Sequence, residues 1–169
     1  MQRFLNENPS DRKKWTLGTA MIHYSTDYVF DSSKDGAYGE DNEPCPTNEY
    51  GRTKLVGEIA VQAAGIKHLF LRTSWVYGMH GKNFLQTRLK LAQERDELKV
   101  VNEHLGTPTW SRWIADVTAN LISQATHSPD TEAWWQKHSG LFPCNVAEIH
   151  KLACICRGIA WECRVAREN

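Results

Sequence analysis

Ala20-Met21-Ile22-His23-Tyr24-Ser25-Thr26-Asp27-Tyr28-Val29-Phe30 and, further on, Asn48-Glu49-Tyr50-Gly51-Arg52-Thr53-Lys54 are the runs that decide how this chain is read. Residues 20–25 read as a strand buried on both faces, the kind found in parallel sheets. A hydroxyl pair and an acid, Ser25-Thr26-Asp27, follow at its carboxyl end. Asn48 is placed to cap a helix and Gly65 to stop it. Tyr50 and Lys54 then sit on one face of that helix, one turn apart.

Outward from these runs, strand and helix signals alternate. Leu55, Ile59 and Ala63, with Val56 and Ala60 beside them, give the first helix its apolar positions. Lys67–Thr73 reads as a second buried strand. Phe84, Leu85, Leu89 and Ala92 mark a second helix, and Leu98–Val101 a short strand. Gly106-Thr107-Pro108-Thr109 is a turn. Ser111 is expected to cap a third helix, with Ile114, Val117, Leu121 and Ile122 inward. Trp134-Trp135 reads as a buried aromatic pair against that helix. Residues 31–47 form a long loop without periodicity, a kind of segment that is often functional. The alternation implies an α/β fold with a mainly parallel sheet.

In open parallel sheets, ligands bind beyond the carboxyl ends of the strands. Ser25-Thr26-Asp27 and Ser74-Trp75 both follow strands, so one crevice is expected to receive them, with Tyr50 and Lys54 brought in by the helix. An ammonium beside a phenol stabilises the phenolate. Tyr50 could therefore pass a proton to or from a substrate oxygen, while the Thr26 hydroxyl fixes that oxygen. This equipment suits reduction of a ketone. No side chain supplies hydride, so a nicotinamide cofactor is implied. A lone Tyr-x-x-x-Lys is common by chance, and Ser-Thr after a strand is commonly a turn or cap. The combination carries the reading.

The 169 residues suffice for one domain with a core. Twenty basic residues balance 20 acidic ones, which gives no expectation of a nucleic-acid surface. No apolar run approaches the roughly 18 residues that span a membrane, and the N-terminus lacks the apolar core of a signal peptide. A cytoplasmic location without membrane partners is the expectation. Five cysteines, an odd count, favour free thiols. His150, Cys154 and Cys156, with Cys144 or Cys163, match no common zinc spacing, and no metal ligand set is assigned. Cys45 has no His or Asp placed to pair with it as a nucleophile.

The runs His23–Phe30, Asn48–Glu58 and Arg72-Thr73-Ser74-Trp75-Val76-Tyr77 together closely resemble dTDP-4-dehydrorhamnose reductases of the extended short-chain dehydrogenase/reductase superfamily. The likeness continues through Asn83-Phe84 and Gly106–Thr109 to about Phe142. It implies a partial Rossmann-like α/β fold that lacks the N-terminal Gly-rich βαβ unit. It implies Tyr50 as the catalytic acid/base and Lys54 as the lysine that supports the phenolate and holds the nicotinamide ribose. Thr26 matches the hydroxyl that polarises the sugar carbonyl. Asp27, Tyr28 and Trp75 match substrate-binding positions, and Tyr24 a cofactor-lining one. The implied reaction reduces dTDP-4-dehydro-β-L-rhamnose to dTDP-β-L-rhamnose with NADPH, NADH being the other option. Mg2+ and homodimers are associated with some members.

Three alternatives stand beside this one. The first is an epimerase or dehydratase of the same superfamily, although Tyr28-Val29-Phe30 after Asp27 lacks the further acids expected of a dehydratase. The second is a non-catalytic subunit of the methionine adenosyltransferase regulatory type, and the third an inactive fragment. The sequence also departs from the family. None of its 11 glycines forms a G-x-x-G-x-x-G run, the run that cradles a dinucleotide pyrophosphate. Residues 1–17 match poorly, residues 18–142 form the partial core, and residues 143–169 are an atypical tail. One reading of that tail, open to residues 1–17 as well, is translation out of frame.

Overall fold

A computed structural model of the chain describes residues 19–34, 36–95, 97–101, 105–145, 150–151 and 164–168. The expectations for residues 1–17 and for Cys154, Cys156 and Cys163 lie outside these. Among the described residues, β1 is Ala20–Thr26, followed by a 3-10 turn at Asp27–Val29, α1 at Glu49–Ala64 and β2 at Lys67–Thr73. Then come β3 (Val76–Tyr77), α2 (Phe84–Glu94), β4 (Glu97–Val101), β5 (Leu105–Gly106) and β6 (Thr109–Trp110). The order ends with α3 (Ser111–His127), α4 (Thr131–His138), β7 (Gly140–Pro143), β8 (His150–Lys151) and β9 (Arg164–Glu168).

The class is α/β, as expected, and the main sheet has three strands in the order β1-β2-β7. β2 and β7 run parallel, with Leu69 opposite Gly140 and Arg72 opposite Pro143. β2 is central, and Leu69, Phe70 and Leu71 are almost fully buried. Burying each such side chain contributes about 1.5–3 kcal/mol. β1 differs from its expectation. Only Ser25 and Thr26 are buried, and Tyr24 is exposed. Among the described residues β2 is its sole strand neighbour, and a strand is apolar on both sides only where both faces are covered.

Helix boundaries follow their caps. The Asn48 side chain accepts from the Gly51 N–H at 2.8 Å. Gly65 closes α1 at φ 64°, where a Cβ would be strained. Asn83 and Asp130 cap α2 and α4 in the same manner as Asn48. α4 has no counterpart in the sequence reading. Ser111 is the first residue of α3 rather than the residue before it.

The covered faces correct two expectations. On α1 the buried positions are Gly51 and Glu58, whereas Ile59 is 54% exposed and Val56, Ala60 and Ala63 are exposed too. Periodicity locates an apolar stripe, but a carboxylate with a buried partner can claim the covered side instead. On α3, Ile114 and Ala125 are buried while Ile122 is exposed, because Ile122 sits at the flank of the Ile114–Ala125 line. Of the tryptophan pair, Trp135 is buried and Trp134 half-buried, with ring centroids 5.1 Å apart in a T shape.

The chain divides into two compact units: the described parts of Met1–Arg72 with Ala125–Pro143, and those of Thr73–Gln124 with Cys144–Asn169. In the first, Lys67 pairs with Glu132 of α4, and the His68 N–H donates to Ser139 Oγ at 3.2 Å. In the second, β3 pairs with β6 and β4 with β9, both in parallel, and β5 pairs with β8 antiparallel. Among the described residues no helix is long and apolar enough to cross a membrane.

Candidate active site

Thr26 ends β1 and caps the 3-10 turn. Its Oγ1 accepts from the Tyr28 N–H at 3.2 Å and donates to Asp27 Oδ1 at 3.2 Å. A hydroxyl has one proton. Donation from Thr26 to a substrate oxygen therefore means exchanging its bond to Asp27. The turn closes with the Phe30 N–H on the Asp27 carbonyl at 3.0 Å.

α1 is pressed against this turn at Gly51. A Cβ there would fall 2.0 Å from the Tyr28 carbonyl oxygen and 3.0 Å from Pro46 Cβ. Only glycine permits that approach. Tyr50, the neighbouring residue, is 54% exposed. Its ring meets Tyr28 edge-on, with centroids 5.8 Å apart at 77°. Lys54 Nζ lies over the Tyr50 ring, 5.9 Å from its centroid, and reaches the Tyr24 carbonyl at 3.5 Å. Thr26, Asp27, Tyr28, Tyr50, Lys54 and Tyr24 thus lie together in the first unit.

Beneath the cluster lies a buried ion pair. Arg72 of β2 donates from Nε to Glu58 Oε1 at 3.1 Å and from Nη2 to Oε2 at 2.6 Å. The Glu58 side chain is 1% exposed and that of Arg72 6%. The guanidinium also covers the Phe30 ring, with Cζ 5.0 Å from its centroid. Phe30 stacks on Tyr38 at 4.3 Å, and the Tyr38 hydroxyl donates to Asp31 at 2.7 Å. The Ser33 N–H, the Tyr38 hydroxyl and the Ser33 hydroxyl hold the Asp31 carboxyl below its usual range. His23 packs edge-on against Phe70. Burial, then the Lys54 ammonium, push its imidazole below the ordinary histidine value, and Glu58 opposes them.

The sequence reading missed Glu58, Arg72, Phe30 and His23. A signal was there. Glu58 stands one helical turn beyond Lys54 on the same face, and Arg72 interrupts an otherwise apolar strand.

Trp75 belongs to the second unit. It adopts a left-handed backbone, φ 41°, unusual for a bulky side chain. Gly106 lies against its indole, where a Cβ would come within 2.3 Å of Cε2. The Trp75 carbonyl accepts from the Thr109 N–H at 3.2 Å, and Phe84 lies 6.1 Å away, ring to ring. Among the described residues no three His, Cys, Asp or Glu side chains converge as metal ligands.

The RmlD substrate binding domain family matches residues 14–152. The chain belongs to this family. It is similar to the dTDP-4-dehydrorhamnose reductase of Burkholderia thailandensis, 50% identical over 109 residues, covering 64% of this chain and 37% of that protein. Its fold is similar to the crystal structure of a dTDP-4-dehydrorhamnose reductase from Clostridium acetobutylicum, with a TM-score of 0.78 and 33% identity. That likeness covers 90% of this chain and 51% of the other. A dTDP-4-dehydrorhamnose reductase from Bacillus anthracis in complex with NADP is similar at a TM-score of 0.75 and 29% identity, over 90% of this chain and 52% of the other. The chain therefore carries a partial Rossmann-like core of the RmlD family, about 40% of the length of the curated relatives it matches. Mg2+, implied for some members, gains no support from the family match or the site.

Proposed function

We propose that this chain carries the proton-transfer and sugar-binding side of an NADPH-dependent dTDP-4-dehydrorhamnose reductase. The supporting observation is that the Tyr50 ring meets Tyr28, whose N–H donates to Thr26, while Lys54 lies over the same Tyr50 ring. Tyr50 gives its proton to the C4 oxygen of the sugar. Lys54 supports the phenolate electrostatically, and its reach to the Tyr24 carbonyl holds it beside the ring. Thr26 transfers its hydrogen bond from Asp27 to the sugar oxygen, which orients the carbonyl for proton transfer. Asp27 and Tyr28 bind the sugar nucleotide.

The exposed phenol and ammonium fit the ribose end of a nicotinamide dinucleotide, which when bound supplies the hydride. The sequence has no G-x-x-G-x-x-G run for the pyrophosphate. The reading assigns no step to Mg2+.

A chimera tests this directly. Residues 18–142 replace the matching stretch of the Burkholderia thailandensis relative, whose remaining parts supply the cofactor cradle. The expected result is NADPH consumption with dTDP-4-dehydro-β-L-rhamnose and release of dTDP-β-L-rhamnose. A chimera that folds and binds NADPH yet leaves this sugar nucleotide unreduced overturns the reading.

A further inference from the structure

One guanidinium touches two elements that carry the site. From β2, Arg72 grips Glu58 of α1 through two hydrogen bonds and covers Phe30 with its flat face. Phe30 closes the turn that holds Thr26, Asp27 and Tyr28. Glu58 stands one turn beyond Lys54 and two beyond Tyr50 on α1. We infer that the Glu58–Arg72 pair is a positioning pair that sets where α1 holds Tyr50 and Lys54 against the turn carrying Thr26 and Tyr28. The relation to catalysis rests on the function proposed above. The geometry itself does not.

The physical argument concerns what the pair does that apolar packing would not. A buried ion pair is seldom the most stabilising occupant of its space, and well-packed apolar residues commonly match or exceed it. Hydrophobic contact is non-directional, so it would cover α1 without fixing its rotation. A two-bond fork between guanidinium and carboxylate fixes both distance and plane. At the amino-terminal end of α1, Gly51 lies so close to the Tyr28 carbonyl that little sliding is tolerated. The helix is thus located at one point by close approach and oriented at another by the fork. A merely structural pair could be exchanged for apolar residues without moving Tyr50.

The test uses the full chain and needs no substrate. Two-dimensional NMR reads the cross-peak between the Tyr28 and Tyr50 rings, and urea unfolding reads stability. The double variant E58L/R72M is expected to unfold at or above the wild-type urea concentration, with the cross-peak weakened at least about tenfold. R72K keeps the charge but not the fork, and is expected to weaken the cross-peak to an intermediate degree. A folded double variant with the wild-type cross-peak overturns the inference. Should the double variant not fold, a wild-type cross-peak in R72K overturns it. In the chimera, the double variant is expected to lower kcat by about 10²-fold, the scale of a small misplacement, with KM changed far less. If the wild-type chimera lacks turnover, the functional reading fails while the ring contact still decides the positioning.

Discussion

Tyr50 and Trp75 are both held in place by close neighbours, but by different physics. Around Tyr50, the α1 backbone is tied down by a buried charge fork, a capping asparagine and a glycine against a carbonyl. Around Trp75, the indole is held largely by shape: a left-handed backbone, Gly106 against the ring and Phe84 nearby. The first arrangement is directional and depends on charge. The second is steric and tolerates loss of charge but not gain of volume. Each substitution below presses on one side of that contrast.

The largest effect is expected from Glu58→Leu alone. It leaves the Arg72 charge buried without its partner, and urea unfolding should show a loss of about 3–5 kcal/mol. A loss under about 1 kcal/mol would erase the distinction between the two regions. Next come the two glycines. Gly51→Ala drives a methyl into the Tyr28 carbonyl, and Gly106→Ala drives one into the Trp75 indole. Each should cost about 1–3 kcal/mol, the range for overpacking. Gly106→Ala should also shift the indole N–H resonance of Trp75, assigned by its absence in Trp75→Phe, and leave the Tyr28–Tyr50 cross-peak in place. Loss of that cross-peak would mean the two regions are not held separately.

A smaller effect, about 1 kcal/mol, is expected for Asn48→Ala, which removes the cap of α1. The smallest concerns His23. Its folded-state imidazole lies below the ordinary value, so the fold favours the neutral ring. As pH falls through about 6.5 the unfolded chain takes up the proton first. The stabilising contribution is whole above that pH and lost below it. His23→Gln should flatten the fall of the urea midpoint between about pH 7 and 5, and an unchanged slope would remove His23 from the account.

Much of this was legible in the sequence. The limits of α1 followed from Asn48 and Gly65, those of β2 from Lys67–Thr73, and the sharing of one helix face by Tyr50 and Lys54 from their spacing. The covered side of α1 was not legible, because Ile59 and Val56 advertise an apolar face and Glu58 does not. Burial of a carboxylate depends on a partner distant in the chain, and Arg72 is one that only the fold brings near. α4 escaped notice because it is short, with just its tryptophans to announce it. The hold on Trp75 depends on Gly106, which reads from sequence as ordinary turn punctuation.

The central claim is that the Tyr50 hydroxyl delivers the proton. Tyr50→Phe removes that hydroxyl and keeps the ring that meets Tyr28. In the chimera it should lower kcat for dTDP-4-dehydro-β-L-rhamnose by at least about 10²-fold, with NADPH binding unchanged and the Tyr28 contact retained. A kcat within a few-fold of the parent chimera would contradict the claim and leave Tyr50 a packing residue.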